Sequence, residues 1–142
     1  DIREPVFIEI TYWNLKPGPQ RVASLHFYNE EGTHLFTSYD LHNLDWRQKT
    51  LKTGLVKSVC KVPGNFLAEG RIFVSIAVNT YLFASLEHAS AHSVVSFNVF
   101  DSFSGDSVRG DLNIPWPGLV RPMLEWEDVF EEKEVGINYN NR

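Results

Sequence analysis

The clearest regular pattern in the sequence lies at residues 71–79, which read RIFVSIAVN. Ile72, Val74, Ile76 and Val78 take alternate positions, and the residues between them are small, polar or aromatic. A period of two is typical of a β-strand with one buried face. The stretch therefore predicts a strand that packs its β-branched residues into a core.

The same alternation recurs on both sides of this stretch. It predicts further strands over Val6–Trp13, Arg21–Tyr28, Thr33–Tyr39, Val56–Val62 and Ser93–Phe100. Residues 40–54 are polar and aperiodic and predict a long loop or a short helical turn, and residues 87–92 predict one helical turn at most. Short strands without a long helical period predict an all-β fold: an antiparallel immunoglobulin-like or jelly-roll β-sandwich.

Composition and charge narrow the classes of partner. The 142 residues suffice for one domain with its own core, and 43% hydrophobic and 22% charged residues are ordinary for a globular protein. The net charge of −5 is concentrated at residues 125–134, which hold six acids and one lysine. The rest of the chain is nearly neutral and has no basic stripe, which argues against a nucleic acid or an anionic membrane as partner.

Two short motifs match the sequence signatures of a class of serine enzymes but lack the structural context that those enzymes need. Residues 58–61 match S-x-x-K and residues 52–54 match K-T-G, but that chemistry needs the serine at a helix start and the K-T-G on a later strand. Here the order is reversed, and Ser58 lies in a predicted strand. The sequence also lacks the glycine-rich motifs that cradle phosphates. We therefore expect no catalytic residue, no nucleotide site and no cofactor in this chain.

Histidines form two candidate metal pairs. His88 and His92 would share one face of a helix, and His26 and His34 would face each other across a hairpin. Neither pair has an evident third ligand in the sequence. We therefore expect no metal site, and we expect these histidines at the surface. Cys60, the single cysteine, excludes a disulfide within the chain and is expected to be a small buried side chain.

Aromatic residues make up 13% of the chain and suggest a binding surface. Aromatic rings stack on the apolar C–H faces of sugars, and Asn and Arg donate hydrogen bonds to hydroxyls. We therefore select exposed aromatic and polar residues near strand ends as candidate glycan-binding residues: Tyr39, Trp46, Arg47, Asn79, Tyr81 and Trp116. Trp13 and Phe73 also fall on the outward parity of their strands. The alternative is that these rings cover the second sheet or a dimer interface.

The second half of the chain resembles one known family. The carrying motifs are PGNFLAEG at 63–70, VSFNV at 95–99, Arg109-Gly110 and the proline-rich PGLVRPMLEW at 117–126. These resemble the C-terminal domain of Wzt-type ATPases, the nucleotide-binding subunits of ABC exporters for O-antigen and related polysaccharides. The resemblance covers residues 4–126, and the proline-rich motif is its specific part. It implies that Pro117, Pro122 and Trp126 pack the edge of the sandwich.

The resemblance implies a function for a domain of a longer chain. It predicts a non-catalytic, polysaccharide-binding β-sandwich at 1–126 that selects the glycan for export, on the cytoplasmic side of the inner membrane. It also implies a homodimer, with the transporter ATPase and the membrane permease as partners through the parent chain. Residues 127–142 are then an acidic connector followed by a candidate exchanged strand at 135–139. The alternatives are a purely structural dimerisation sandwich and the accessory domain of a glycan-modifying transferase.

Overall fold

A computed structural model describes residues 1–81 and 85–132. The helices and strands are β1 (Val6–Asn14), β2 (Val22–Tyr28), β3 (His34–Tyr39), α1 (Leu44–Arg47), β4 (Gly54–Val62), β5 (Gly70–Tyr81) and β6 (Ser85–Val99). Each predicted strand is present, and α1 is the short helical turn expected within residues 40–54. In this part of the chain, no helix is long and apolar enough to cross a membrane.

The strands form two antiparallel sheets, which confirms the all-β prediction. One sheet has four strands in the order β3-β2-β5-β6, and the other pairs β1 with β4. The RIFVSIAVN stretch lies in β5, which hydrogen-bonds to a neighbour on each side. An interior strand must bury at least one face along its whole length, and this explains why β5 has the most regular alternation in the sequence.

The core fills the space between the sheets. Phe27 of β2 and Val74 of β5 are neighbours in the ladder, and both are fully buried. Leu25 lies beside them, and Ile10 and Val62 of the smaller sheet complete the contact. Burying a side chain of this size contributes about 1.5–3 kcal/mol to the free energy of unfolding. The alternate residues of β2 and β5 point away from the core, and we call that surface of the four-stranded sheet the outer face.

β6 is longer than the sequence predicts. The strand begins at Ser85, and the expected helical turn at 87–92 is wrong because these residues pair with β5. β6 is an edge strand whose residues from 86 to 96 are mostly exposed, so burial imposes no alternation there. Register shifts opposite Val74–Ile76 and Val78–Asn79 break the period further. His88 and His92 therefore do not share a helical face.

The segment after β6 folds back onto the connection between β4 and β5. Arg121 N donates to Phe66 O at 2.7 Å, and Met123 N donates to Asn65 O at 2.9 Å. The expectation that Trp126 packs the edge of the sandwich is wrong, because its side chain is 86% exposed. At Trp126 the chain no longer packs against the sandwich. The candidate strand at 135–139 lies outside the described residues.

Candidate functional site

Five aromatic side chains form a continuous row on the outer face. Successive ring centroids are 6.1 Å apart from Tyr81 to Tyr39, 6.4 Å to His26, 6.2 Å to His34 and 5.1 Å to Tyr28. We call these five residues the ring row. His26 and His34 come together on the β2–β3 hairpin, but as diagonal neighbours rather than directly opposite each other, because His26 pairs with Thr37 and His34 pairs with Tyr28. The row follows that hairpin, and Tyr81 extends it from the end of β5.

The strand register explains why the row forms. Ser24 pairs with Tyr39, and Tyr28 pairs with both His34 of β3 and Phe73 of β5. Alternate residues of an antiparallel strand point to the same face, so the register places these rings together. Phe73 lies on the outward parity, as expected. The sequence alone could not place the five rings in one row, because the row depends on how β2 pairs with strands far along the chain.

Small side chains lie between the rings and the edge strand. Ser24, Ser75 and Ala77 face away from the core and are nevertheless at most 8% exposed. Larger neighbours surround them, so they form the floor of the outer face. Asn79, a predicted binding residue, is on the same face and is 9% exposed. The structure thus brings three predicted residues, Tyr39, Asn79 and Tyr81, to one surface.

A shared hydroxyl links the two histidines of the row. Thr37 Oγ1 lies 3.0 Å from His26 Nδ1 and 2.9 Å from His34 Nε2. Because a hydroxyl has one proton, it can donate to only one of the two rings. Burial, together with the nearby His34 and His92, lowers the pKa of His26 below its ordinary value of 6.5. The lowered pKa favours the neutral form of His26 at pH 7, so this ring offers hydrogen bonds without a net charge.

A β-bulge brings His92 towards the same face. Val74 pairs with Val95 and Ile76 pairs with Ala91, so three residues of β6 lie opposite Ser75. Ser93 in this bulge has a φ of +49°, and its N–H donates to Ser75 Oγ at 2.9 Å. Bulges often re-aim a side chain beside a functional site. Here the bulge borders a cavity of about 390 Å³ that ends the ring row, lined by Tyr28, Phe73, Ser75, His92 and the β2–β3 turn.

The outer face carries few permanent charges. On the described strands these are Arg71 at the start of β5 and Glu87 on β6, opposite Asn79 near the other end of β5. Arg71 stacks on the Phe73 ring at 5.3 Å and donates to Ser96 Oγ. Between these two ends the face is polar and aromatic but uncharged. Such a surface suits hydroxyl-rich, uncharged ligands better than polyanions.

The other three predicted binding residues lie elsewhere. Trp46 and Arg47 are in α1, whose N-terminus is capped by Asn43 Oδ1, which accepts from Trp46 N at 3.0 Å. Trp46 is half-buried and Arg47 is exposed. The Trp116 ring lies under the Arg121 guanidinium at 5.5 Å, near the start of β5. Tyr81 is at the other end of that strand, roughly 36 Å away along twelve residues.

A buried ion cluster at the start of β5 was not predicted. Glu69 Oε2 accepts from Nη2 of both Arg109 and Arg121, each at 2.9 Å. Asp101 Oδ2 accepts from Ser107 Oγ at 2.6 Å and lies 3.7 Å from Arg109 Nε. We call Glu69, Asp101, Arg109 and Arg121 the ion cluster. Its two positive and two negative charges cancel, and its ion pairs hold the segment after β6 against the start of β5. We therefore assign the ion cluster a structural role.

A second cavity, of about 420 Å³, opens between the edges of β3 and β4. Ile10 and Leu25 lie at its apolar base, and Tyr39 and Cys60 are also in its lining. Cys60 is half-buried rather than fully buried, and its Sγ lies 4.0 Å from Ser38 Oγ. Among the residues that the structure describes, no three His, Cys, Asp or Glu side chains converge on a metal-binding position.

Comparison with known proteins places the fold. No protein-family model matches the chain, and no curated protein matches its sequence. Among solved structures, one match is the crystal structure of the C-terminal domain of Wzt, with a TM-score of 0.67 at 8% sequence identity. The match covers 90% of this chain and 71% of the other. The chain has the fold of the Wzt C-terminal domain. The resemblance carried by the motifs at 63–70 and 117–126 is therefore confirmed at the level of the fold.

Proposed function

We propose that the chain is a non-catalytic polysaccharide-binding domain and that the ring row on the outer face is its binding surface. The observation that supports this most strongly is the set of five rings, from Tyr81 to Tyr28, in unbroken succession on a fold shared with the Wzt C-terminal domain. Tyr39 is nearly perpendicular to both of its neighbours, at 83° to Tyr81 and 81° to His26, so the row presents ring edges as well as ring faces to successive sugars. The tyrosine hydroxyls and the exposed serines of β6 on this face offer hydrogen bonds to sugar hydroxyls.

The proposed role in the cell follows from the same fold match. The domain would belong to the ATPase subunit of an ABC exporter and select O-antigen or a related glycan for export. Its other partners would be the membrane permease and a second copy of the chain, at the cytoplasmic side of the inner membrane. Residues 1–126 would bind the glycan, and the acidic residues that follow would connect to the rest of the assembly.

The binding claim is tested by titrating the purified domain with the polysaccharide of its own source organism, followed by NMR chemical shifts. We expect shifts at residues of the outer face, and Tyr39→Ala should weaken binding by about 1–3 kcal/mol. Trp126→Ala is the matched control, because that ring is 86% exposed and lies off the face. An absence of shifts with the native polymer, or equal losses in both variants, would refute the binding surface.

A second candidate function, dimerisation, rests on the outward surface of the smaller sheet. Phe7, Trp13, Leu55 and Val59 are each more than half exposed there, and Trp13 and Leu55 are cross-strand neighbours. Glu9 and Lys57 lie among these residues on the same face, and exposed apolar side chains with polar neighbours often mark a protein–protein contact. Sedimentation of the wild type and of Trp13→Ser decides the matter: a dimer that the substitution dissociates supports the interface. A monomeric wild type removes it.

A further inference from the structure

We infer that the ring row binds an extended, uncharged stretch of several sugars along the β2–β3 hairpin, rather than a single sugar held in a pocket. This inference rests on the proposed function and specifies its ligand.

The row is too long for one sugar. Tyr39 lies opposite Ser24 and Tyr28 lies four residues further along β2, a distance of roughly 13 Å along the strand. Tyr81 extends the row beyond Tyr39, with its ring 6.1 Å away. The steps between centroids, from 5.1 to 6.4 Å, are similar to the size of one pyranose ring. Successive sugars of an extended chain can therefore contact successive side chains.

The outer face is an open, elongated surface rather than a closed pocket, and we call the part of it beside the ring row the track. The floor of Ser24, Ser75 and Ala77 keeps the centre of the outer face low, and the rings border it along the hairpin. At one end the track reaches the cavity beside Tyr28 and His92. The other end lies at Tyr81, where β5 ends. A chain lying on the track gains a contact with each added sugar until both ends are occupied.

The charges near the track disfavour an anionic polymer. Arg71 is the one arginine or lysine among the described strand residues of the outer face, and it is already stacked on Phe73 and bonded to Ser96. The cavity at the Tyr28 end is lined by Glu30, a carboxylate. A polyanion needs several lysines or arginines to offset its charge, whereas the hydroxyls of a neutral glycan need only the polar groups present here.

The test uses a printed array of linear oligosaccharides of two to six sugars. The neutral set contains glucans, mannans and galactans, and the charged set contains uronates of the same lengths. We expect retention of a neutral series, with affinity rising at least tenfold from its disaccharide to its hexasaccharide. A disaccharide that binds as tightly as the hexasaccharide overturns the inference, and so does preference for a uronate of equal length. Absence of binding to every spot counts against the proposed function as well.

Variants at the two ends of the row add a second readout. Tyr28→Ala and Tyr81→Ala should each lower affinity for the hexasaccharide about tenfold, because each removes one contact of a long ligand. For the disaccharide, at least one of the two should have no effect, since a short ligand cannot reach both ends. Tyr28→Phe keeps the ring and should retain most of the affinity. If both alanine variants weaken the disaccharide and the hexasaccharide equally, the ligand is not extended along the row.

Discussion

The start of β5 and the rest of the strand hold their polar side chains in opposite environments, buried at the start and at the surface along the rest. At its start, the ion cluster buries two arginines and an aspartate, with side chains at most 5% exposed, against Glu69. Along the rest of the strand, from Phe73 to Tyr81, the ring row keeps aromatic, hydrogen-bonding side chains at the surface. Buried ion pairs fix a segment in one place, because separating them leaves a charge without a partner. An uncharged, partly exposed face stays available to a ligand. The strand thus joins a region built to hold the chain and one suited to bind something else.

The largest effect is expected for Arg121→Met, which tests whether the ion cluster holds the chain in place. The substitution keeps much of the side-chain volume but leaves the carboxylates of the cluster in excess, so we expect a loss of about 3–5 kcal/mol in the free energy of unfolding. Urea denaturation measures it. Lys57→Met is the matched control, since the Lys57–Glu9 pair is exposed to solvent and its loss should change stability far less. Similar losses in the two variants would contradict a structural role for the cluster.

Trp116→Ala tests whether one ring contributes to stability, to glycan binding or to both. The ring stacks on Arg121, so we expect a loss of about 1–2 kcal/mol in stability. Glycan affinity should not change, because the ring stacks on Arg121 of the ion cluster and is not one of the five rings of the row. Thermal unfolding and the array titration measure the two quantities on one sample. A clear loss of affinity in a stably folded variant would instead include Trp116 in the binding surface, as the sequence suggests.

Acid titration should show the two regions in separate pH windows. For Asp101, burial alone would raise the pKa, but hydrogen bonds from Ser107 and the Phe103 N–H, with the charges of Arg109 and Arg121, hold it below 3.8. The unfolded state then binds the proton more readily, so this stabilisation is present above pH 3.8 and is lost as the pH falls through the lower, folded value.

The pKa of His26 is lowered as well, but His26 is a base with an ordinary value of 6.5. Protonation favours the unfolded chain, so stability should fall slightly as the pH drops below about 6.5. Unfolding measured from pH 8 to pH 3, with His26→Gln as the comparison, resolves the two windows. The variant should lose part of the upper window, because burial and Arg21 also lower the pKa of His88, and it should keep the lower window. A wild-type curve that is flat between pH 7 and pH 5 would argue against the lowered pKa of His26.

The smallest expected effect concerns the bulge beside the ring row. Ser93 has a φ of +49°, which glycine adopts more easily than serine, so Ser93→Gly should raise stability by a few tenths of a kcal/mol. The N–H bond to Ser75 Oγ does not involve the serine side chain and should persist. Chemical denaturation against the wild type measures the change. A loss above about 1 kcal/mol would show that the Ser93 side chain has a role of its own.

Much of the fold was predictable because burial leaves a period in the sequence. β5 and β2 alternate clearly, since one face of each lies in the core. The first half of β6 was missed, because an exposed edge strand with two register shifts carries no such period. The predicted packing of Trp126 against the sandwich was wrong for a related reason. A proline-rich motif restricts the backbone but does not show where the chain leaves the body.

The site was only partly predictable from the sequence. The His26–His34 contact follows from a hairpin and needs no distant pairing, so local reasoning found it. The full row also requires the pairing of β2 with β5, because Tyr81 at the end of β5 reaches Tyr39 only through that pairing. The ion cluster joins residues 40 positions apart in loops without any period. Register and loop closure determine both features, and neither leaves a local pattern to detect.

The connection between β4 and β5 receives both outlying segments of the described chain. Asn65 N donates to Ile2 O at 2.6 Å, and Asn65 O accepts from Met123 N at 2.9 Å. A pulling force applied at the first residues and at the segment beyond Met123 would therefore pass through Asn65 by a short route. The sheets would be loaded only after these two bonds had given way, together with the bonds from Ile2 N to Phe100 O and from Arg121 N to Phe66 O. Tension along the polypeptide would thus leave the ring row undistorted.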